Sequence, residues 1–186
     1  MQKLLVFNQV TLDGYFSGPD GDLSWAHKQD PAWDQFVADN AKGGGTLLFG
    51  RVTYEMMASF WPTPEAASAF PTVAEGMNKS QKVVFSRTLD KVSWRNTRVV
   101  KDGMAAEVRR MKGESGNGMT ILGSGKIVAQ LASEGLIDEY QLVLNPIALG
   151  RGRTMFEGVK APVNMKRIST REFKNGNILT VYSAGA

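Results

Sequence analysis

The chain has 186 residues, a net charge of +4, no cysteine and one histidine, His27. The absence of cysteine excludes disulfides, thiolate zinc sites and cysteine nucleophiles, and a lone histidine excludes multi-histidine metal centres, so no metal is expected. The length suits one domain, spanning residues 1–186, with a substantial core. Lys and Arg are scattered, and the densest groups (Arg109, Arg110, Lys112; Arg151, Arg153) lack interleaved aromatics. That pattern fits a solvated face or a small phosphorylated ligand, and neither nucleic acid nor membrane is an expected partner. The apolar run from Leu4 to Val10 is too short to span a bilayer and is broken by Asn8 and Gln9. A cytoplasmic protein is the expectation.

In chain order, Lys3 to Val10 reads as a strand, followed by a polar, glycine-rich loop from Asp13 to Lys28. Asp30-Pro31 supplies an N-cap acceptor and a proline at the first helical position. Trp33, Phe36, Val37 and Ala41 then form an apolar stripe, ended by Gly43-Gly44-Gly45. Thr46 to Phe49 is a short continuous apolar strand. Val52, Met56 and Phe60 are expected to be the buried face of the next helix, which Trp61-Pro62-Thr63-Pro64 stops. Residues 65 to 77 read as helical. Lys82 to Phe85 and Thr97 to Val100 read as strands, and Met104, Val108 and Met111 mark a helix after them. Met119 to Leu122 and Tyr140 to Leu144 are further strands, with a helix (Ile127, Val128, Leu131) between. Arg167 to Phe173 and Ile178 to Tyr182 form a hairpin around Asn175-Gly176. Strands alternating with helices before a final hairpin predict a three-layer α/β fold with a mostly parallel sheet and an antiparallel edge.

Two turns carry the chemistry. Gly123-Ser124-Gly125-Lys126 joins an apolar strand to a helix, where free backbone N–H groups and the positive end of the helix dipole favour phosphate. Phe49-Gly50-Arg51-Val52-Thr53 joins another strand to another helix. Two such seats fit a ligand with more than one phosphate. The Gly125-Lys126 pair is no Walker loop, because Thr120 and Ile127 stand where that motif needs glycine and Ser or Thr. Lys126 is nonetheless free to face a phosphate.

Four stretches, in order, resemble the dihydrofolate reductase-like superfamily, and more closely its bacterial branch that shares a fold with the C-terminal reductase domain of riboflavin biosynthesis. They are Thr11-Leu12-Asp13-Gly14-Tyr15, Leu48-Phe49-Gly50-Arg51-Val52-Thr53-Tyr54-Glu55, Val83-Val84-Phe85-Ser86-Arg87, and Gly123-Ser124-Gly125 with Leu136 to Tyr140 and Asn145 to Gly152. The resemblance implies a dihydrofolate reductase-like α/β/α fold and NADPH as cofactor. It places Gly50, Gly123, Ser124 and Gly125 beside the pyrophosphate, and Arg51, Thr53, Ser86 and Arg87 at the adenosine 2′-phosphate. A guanidinium suits a dianionic phosphate because it offers two parallel hydrogen bonds. For Arg87 an ordinary surface position is the alternative.

The departures bear on substrate. Gly123-Ser124 stands where dihydrofolate reductases carry a glycine pair. Their folate-tail arginine is replaced by the stretch Phe60-Trp61-Pro62-Thr63-Pro64-Glu65, which makes folate an unexpected substrate. The expectation is an NADPH-dependent oxidoreductase that transfers a hydride to a small pterin-like or pyrimidine-like heterocycle. The alternatives are the riboflavin-pathway 5-amino-6-(5-phosphoribosylamino)uracil reductase and a non-catalytic nucleotide-binding protein of the same fold. A homodimer is the symmetric default.

Hydride transfer also needs a proton, and Asp34 is the candidate acid. It lies at the family's spacing before Gly50, on the flank of the apolar stripe, where partial burial would raise its pKa. A helix-dipole aspartate is the equal alternative. Asp13, Phe16, Trp25 and Trp61 are candidate lining of the substrate pocket, with residues 14–25 as a loop over the nicotinamide. Asp13, in an Asp-Gly pair after a strand, reads more readily as a turn residue, and Trp61, before a proline, more readily as core. Tyr54 and Glu55 read as support for the fold, and His27 as a solvated loop residue.

Overall fold

The computed structural model describes residues 1–26 and 28–185; the loop position expected for His27 lies outside the described residues. Strand β1 (Leu4–Thr11) is followed by a loop with a 3-10 turn at Ser24–Ala26 and by α1 (Pro31–Lys42). The Asp30 carboxylate accepts the Ala32 and Trp33 amides at 2.8 and 3.0 Å, which starts α1 where the sequence predicts. Then come β2 (Thr46–Gly50), α2 (Arg51–Phe60), α3 (Pro64–Ala69), α4 (Pro71–Lys79) and β3 (Gln81–Phe85). The second half holds β4 (Thr97–Val100), α5 (Met104–Gly113), β5 (Met119–Leu122), α6 (Gly125–Ser133), β6 (Glu139–Asn145), β7 (Met165–Glu172) and β8 (Ile178–Ala184).

The strands form one eight-stranded sheet in the order β4-β3-β2-β5-β1-β6-β8-β7. All pairings from β4 to β6 are parallel, and only the final hairpin, β8 on β6 and β7 on β8, is antiparallel. Adjacent residues of central strands are buried on opposite faces, as a parallel sheet covered on both sides requires. Leu48 and Val83 pack with Val108 and Met111 of α5 and with Val128 and Leu131 of α6. Their neighbours Phe49 and Val84 pack with Tyr54 of α2 and Met77 of α4. Phe7 and Val143 meet Trp33 of α1. The result is the three-layer α/β/α arrangement expected, with α1 to α4 on one face and α5 and α6 on the other.

This topology creates a switch point. The β1–α1–β2 connection crosses β5 on one face, whereas β5–α6–β6 crosses β1 on the opposite face. The two connections leave β1 and β5 in opposite directions, so a crevice opens beyond their carboxyl ends, where open α/β sheets bind ligands.

Two local expectations need correction. Val52, Met56 and Phe60 do not face the core; they are 54%, 39% and 39% exposed. The helix turns inward through Tyr54 instead, whose hydroxyl accepts the Trp94 amide at 3.1 Å, with Met57, Ala58 and Trp61 packed beside it. The helical region 65–77 is two helices, because Phe70 takes φ −137° and ψ 61° before Pro71 begins α4.

Candidate functional site

The late glycine turn sits at the crevice. Gly123 and Ser124 both adopt left-handed backbone, at φ 62° and φ 59°. For Gly123 this is easy, and a β-carbon there would stand 2.9 Å from Thr53 Cγ2. For a serine it costs free energy, which local hydrogen bonds must offset. Ser124 Oγ accepts the Gly50 amide at 2.7 Å, and its hydroxyl donates to Thr53 Oγ1 at 3.0 Å. The turns after β2 and after β5 are therefore joined by one side chain.

A second side chain holds the same turn from β1. Backbone pairing between β1 and β5 ends at Phe7 and Leu122. Beyond it the buried Asn8 continues the ladder: Oδ1 accepts the Gly123 amide at 2.7 Å, and Nδ2 donates to the Gly123 carbonyl at 3.4 Å and to Met155 Sδ at 2.9 Å. The sequence reading missed Asn8 as a site residue. Its signal was an amide in register with Leu4, Val6 and Val10, on the buried and otherwise apolar face of the strand.

Helices α2 and α6 both begin here, and neither has a side-chain cap or an acidic residue in its first turn. By contrast, α1 and α3 are capped by Asp30 and Thr63 and carry Asp34 and Glu65 in their first turns. The opening amides of an α-helix have no intrahelical partner, so α2 and α6 present N–H groups and positive dipole ends to the crevice. Lys126, the second residue of α6, is exposed. These donors fit a diphosphate.

The expected 2′-phosphate residues lie on the same sheet edge. Arg51 opens α2 and is paired at 2.9 Å with Glu55, both half-exposed. Arg87 is exposed and its Nε donates to Asp102 at 2.9 Å. Ser86 Oγ accepts the amides of Thr88 and Leu89 at 3.2 and 3.0 Å, so it shapes the turn after β3.

The loop after β1 is built differently from a free flap. Asp13 accepts the Thr11 hydroxyl at 2.6 Å, the Gly150 amide at 2.6 Å and the Leu149 amide at 3.0 Å. The Thr11 hydroxyl first, then the Gly150 amide, holds its carboxyl below the usual range. Asp13 thus pins the 148–152 segment. The Phe16 amide donates to the Arg153 carbonyl at 2.9 Å, and the Arg153 amide donates to the Ser17 carbonyl at 2.9 Å. The Phe16 ring lies over Gly125, whose absent β-carbon would meet it at 2.9 Å and the Thr154 carbonyl at 2.6 Å. Trp25 is buried, with Nε1 donating to the Asp22 carbonyl at 3.2 Å. Trp61 packs on Phe60 and Phe70, at 5.1 and 6.3 Å between ring centroids.

Asp34 is exposed in the first turn of α1, so the partial burial expected for it is not found. The apolar stripe turns Trp33 inward and leaves its neighbour on the outer flank. Topology nevertheless puts this turn at the carboxyl edge of the sheet, because α1 starts where the β1 loop ends. A cavity of 410 Å³ lined by Pro62, Asn78 and residues 93–95 lies beside Trp61, whose carbonyl accepts Asn78 Nδ2 at 2.9 Å, and one of 220 Å³ is lined by Phe156, Val159, Val163 and Met165.

Fold and site together define a dihydrofolate reductase-like α/β protein. Residues 2–179 match the RibD C-terminal domain model, and the chain belongs to that family. It is 28% identical over 181 residues to the uncharacterized protein YyaP of Bacillus subtilis (strain 168), covering 97% of this chain and 94% of YyaP. Among solved structures, the Thermotoga maritima diaminohydroxyphosphoribosylaminopyrimidine deaminase/5-amino-6-(5-phosphoribosylamino)uracil reductase is similar with a TM-score of 0.70 at 16% identity. That match covers 99% of this chain and 57% of that one. A dihydrofolate reductase from Enterococcus faecalis, complexed with NADP(H), has a TM-score of 0.66 at 16% identity and matches 99% of this chain and 97% of its own. Among the described residues no helix is long and apolar enough to cross a membrane.

Proposed function

We propose that the protein is an NADPH-dependent reductase of a small pterin-like or pyrimidine-like heterocycle. The observation that carries this reading is the pair of uncapped helix N-termini, α2 and α6, joined through Ser124 at the switch-point crevice. NADPH supplies the hydride when bound. The first-turn amides of both helices, with Lys126, hold its pyrophosphate; Arg51, with Thr53, Ser86 and Arg87 along the same edge, holds the 2′-phosphate. Asp34 delivers the proton, directly or through water, at the solvent side of the crevice. Phe16, Trp25, Asp13 and Trp61 shape the surrounding walls. The Enterococcus reductase with NADP(H) and the Thermotoga uracil reductase support cofactor and substrate class by analogy of fold.

A second reading, a nucleotide binder without chemistry, is favoured by one observation: Asp34, the candidate acid, is exposed rather than partly buried. One experiment separates the two. The purified protein is given NADPH and a panel of pterins, flavins and pyrimidines, and NADPH oxidation is followed. Turnover with one heterocycle class supports the reductase. Saturable NADPH binding without turnover across the panel supports the binder.

A further inference from the structure

We infer that Ser124 and Asn8 are positioning residues that set the spacing of the two helix N-termini before any cofactor arrives; the inference rests on the NADPH reading above. Ser124 is a left-handed non-glycine residue whose hydroxyl is spent inward, on the Gly50 amide and on Thr53 Oγ1. A serine acting as a phosphate ligand would turn that hydroxyl toward the crevice. Here it spans the gap between the α2 and α6 turns as a strut. Asn8, 6% exposed, fixes the other side of the turn by a two-point contact with the Gly123 peptide. Between them the turn is tied to β1 and to α2. The phosphate donors of α6, the Gly125 and Lys126 amides, follow directly from the residue so tied. Preorganised donors bind more tightly because less is lost in ordering them.

The geometry separates positioning from stability. Glycine adopts φ 59° without penalty, so Ser124→Gly removes the strut and relieves strain together. Ser124→Ala removes the strut and keeps the strain. Asn8→Asp keeps the acceptor for the Gly123 amide but replaces the donor that faces the Gly123 carbonyl and Met155.

The test is calorimetric titration of the folded wild type and three variants with NADPH and with adenosine 2′-monophosphate, alongside melting temperatures. The monophosphate carries the 2′-phosphate of the Arg51 end and no part of the pyrophosphate. Each variant is expected to bind NADPH roughly fivefold to tenfold more weakly, about the effect of one or two hydrogen bonds, and to bind the monophosphate within about twofold of wild type. Ser124→Gly is expected to melt no lower than wild type and Ser124→Ala lower, although both lose NADPH affinity alike. Three results overturn the inference: NADPH affinity unchanged in Ser124→Gly, affinity that follows melting temperature across the variants, or tighter binding in Ser124→Gly. The last would mean that the hydroxyl competes with phosphate for the Gly50 amide. A wild type that binds neither ligand overturns the NADPH reading itself, and the inference with it.

Discussion

Ser124 Oγ lies 2.7 Å from the Gly50 amide nitrogen, a contact between residues 74 apart in sequence. Through it, the turn that ends β2 and the turn that ends β5 form one structural unit at the carboxyl edge of the sheet. The predicted cofactor chemistry depends on that unit.

Arg51 should set cofactor preference. Its partner Glu55 is half-exposed, and such i,i+4 pairs stabilise a helix by only about 0.3–0.5 kcal/mol. The guanidinium is therefore easily redirected to a phosphate. Arg51→Ala should weaken NADPH roughly tenfold or more, the worth of one charge-assisted contact, and leave NADH nearly unchanged. Binding titrations with both cofactors check this. Equal losses would remove Arg51 from the 2′-phosphate site.

Gly125→Val tests the α6 turn less cleanly than its sequence context suggests. Its β-carbon would stand 2.6 Å from the Thr154 carbonyl and 2.9 Å from the Phe16 ring. The variant should lose NADPH binding and also about 1–3 kcal/mol of stability, the usual effect of overpacking. Urea denaturation reads the second effect. An unchanged midpoint would mean that the 154 segment is not packed on α6.

Asp34 is the assignment most exposed to refutation. Asp34→Asn should retain NADPH affinity and lose on the order of 10²–10⁴ in turnover, the contribution of a general acid. Steady-state kinetics with the heterocycle found by screening decide it. Turnover within about threefold of wild type would assign proton delivery to solvent.

Stability should rise with pH through two separate windows, one alkaline and one acid. Burial, with the nearby charge of Arg95, pushes the Lys82 ammonium from 10.5 down to about 8, although Nζ donates to the Ser80 carbonyl at 2.7 Å and sits 4.4 Å from the Trp94 ring. Between about 8 and 10.5 the unfolded chain binds the extra proton, so stability rises with pH through that window and is lost as pH falls through about 8. The urea midpoint should increase from about pH 7.5 to about pH 9.5, and Lys82→Met should flatten that rise. At the acid end, the Arg110 guanidinium, with Arg98, holds Glu107 down to about 2. Its contribution is present above the usual value of 4.5 and disappears as pH falls through about 2. Glu107→Gln should therefore destabilise the protein at neutral pH and converge with wild type at the acid limit.

The turns, the succession of strands and helices along the chain and the mostly parallel sheet were legible because glycine punctuation follows short apolar runs at residues 46–50 and 119–125. The inner face of α2 was not. Its sequence is apolar on several sides, so the Val52/Met56/Phe60 row and the Tyr54/Met57/Trp61 side both fit helical spacing, and only packing on Trp94 chooses between them. Phe70-Pro71 did carry the signal that divides α3 from α4. Asn8 was hidden for another reason. Its partner is 115 residues away, and nothing local distinguishes an amide that closes a turn from one that merely interrupts an apolar strand. The burial of Trp33 rather than Asp34 is likewise set by the aromatic cluster with Phe7 and Phe173, which brings together residues far apart in sequence.

The central claim is that the crevice between the α2 and α6 turns holds a dinucleotide. A crystal structure with NADP⁺ at saturating concentration tests it most directly. The pyrophosphate should lie within hydrogen-bond reach of first-turn amides from both residues 51–53 and residues 125–126, with the 2′-phosphate toward Arg51. A cofactor bound elsewhere on the protein, or a crevice left empty at saturating NADP⁺, would contradict it.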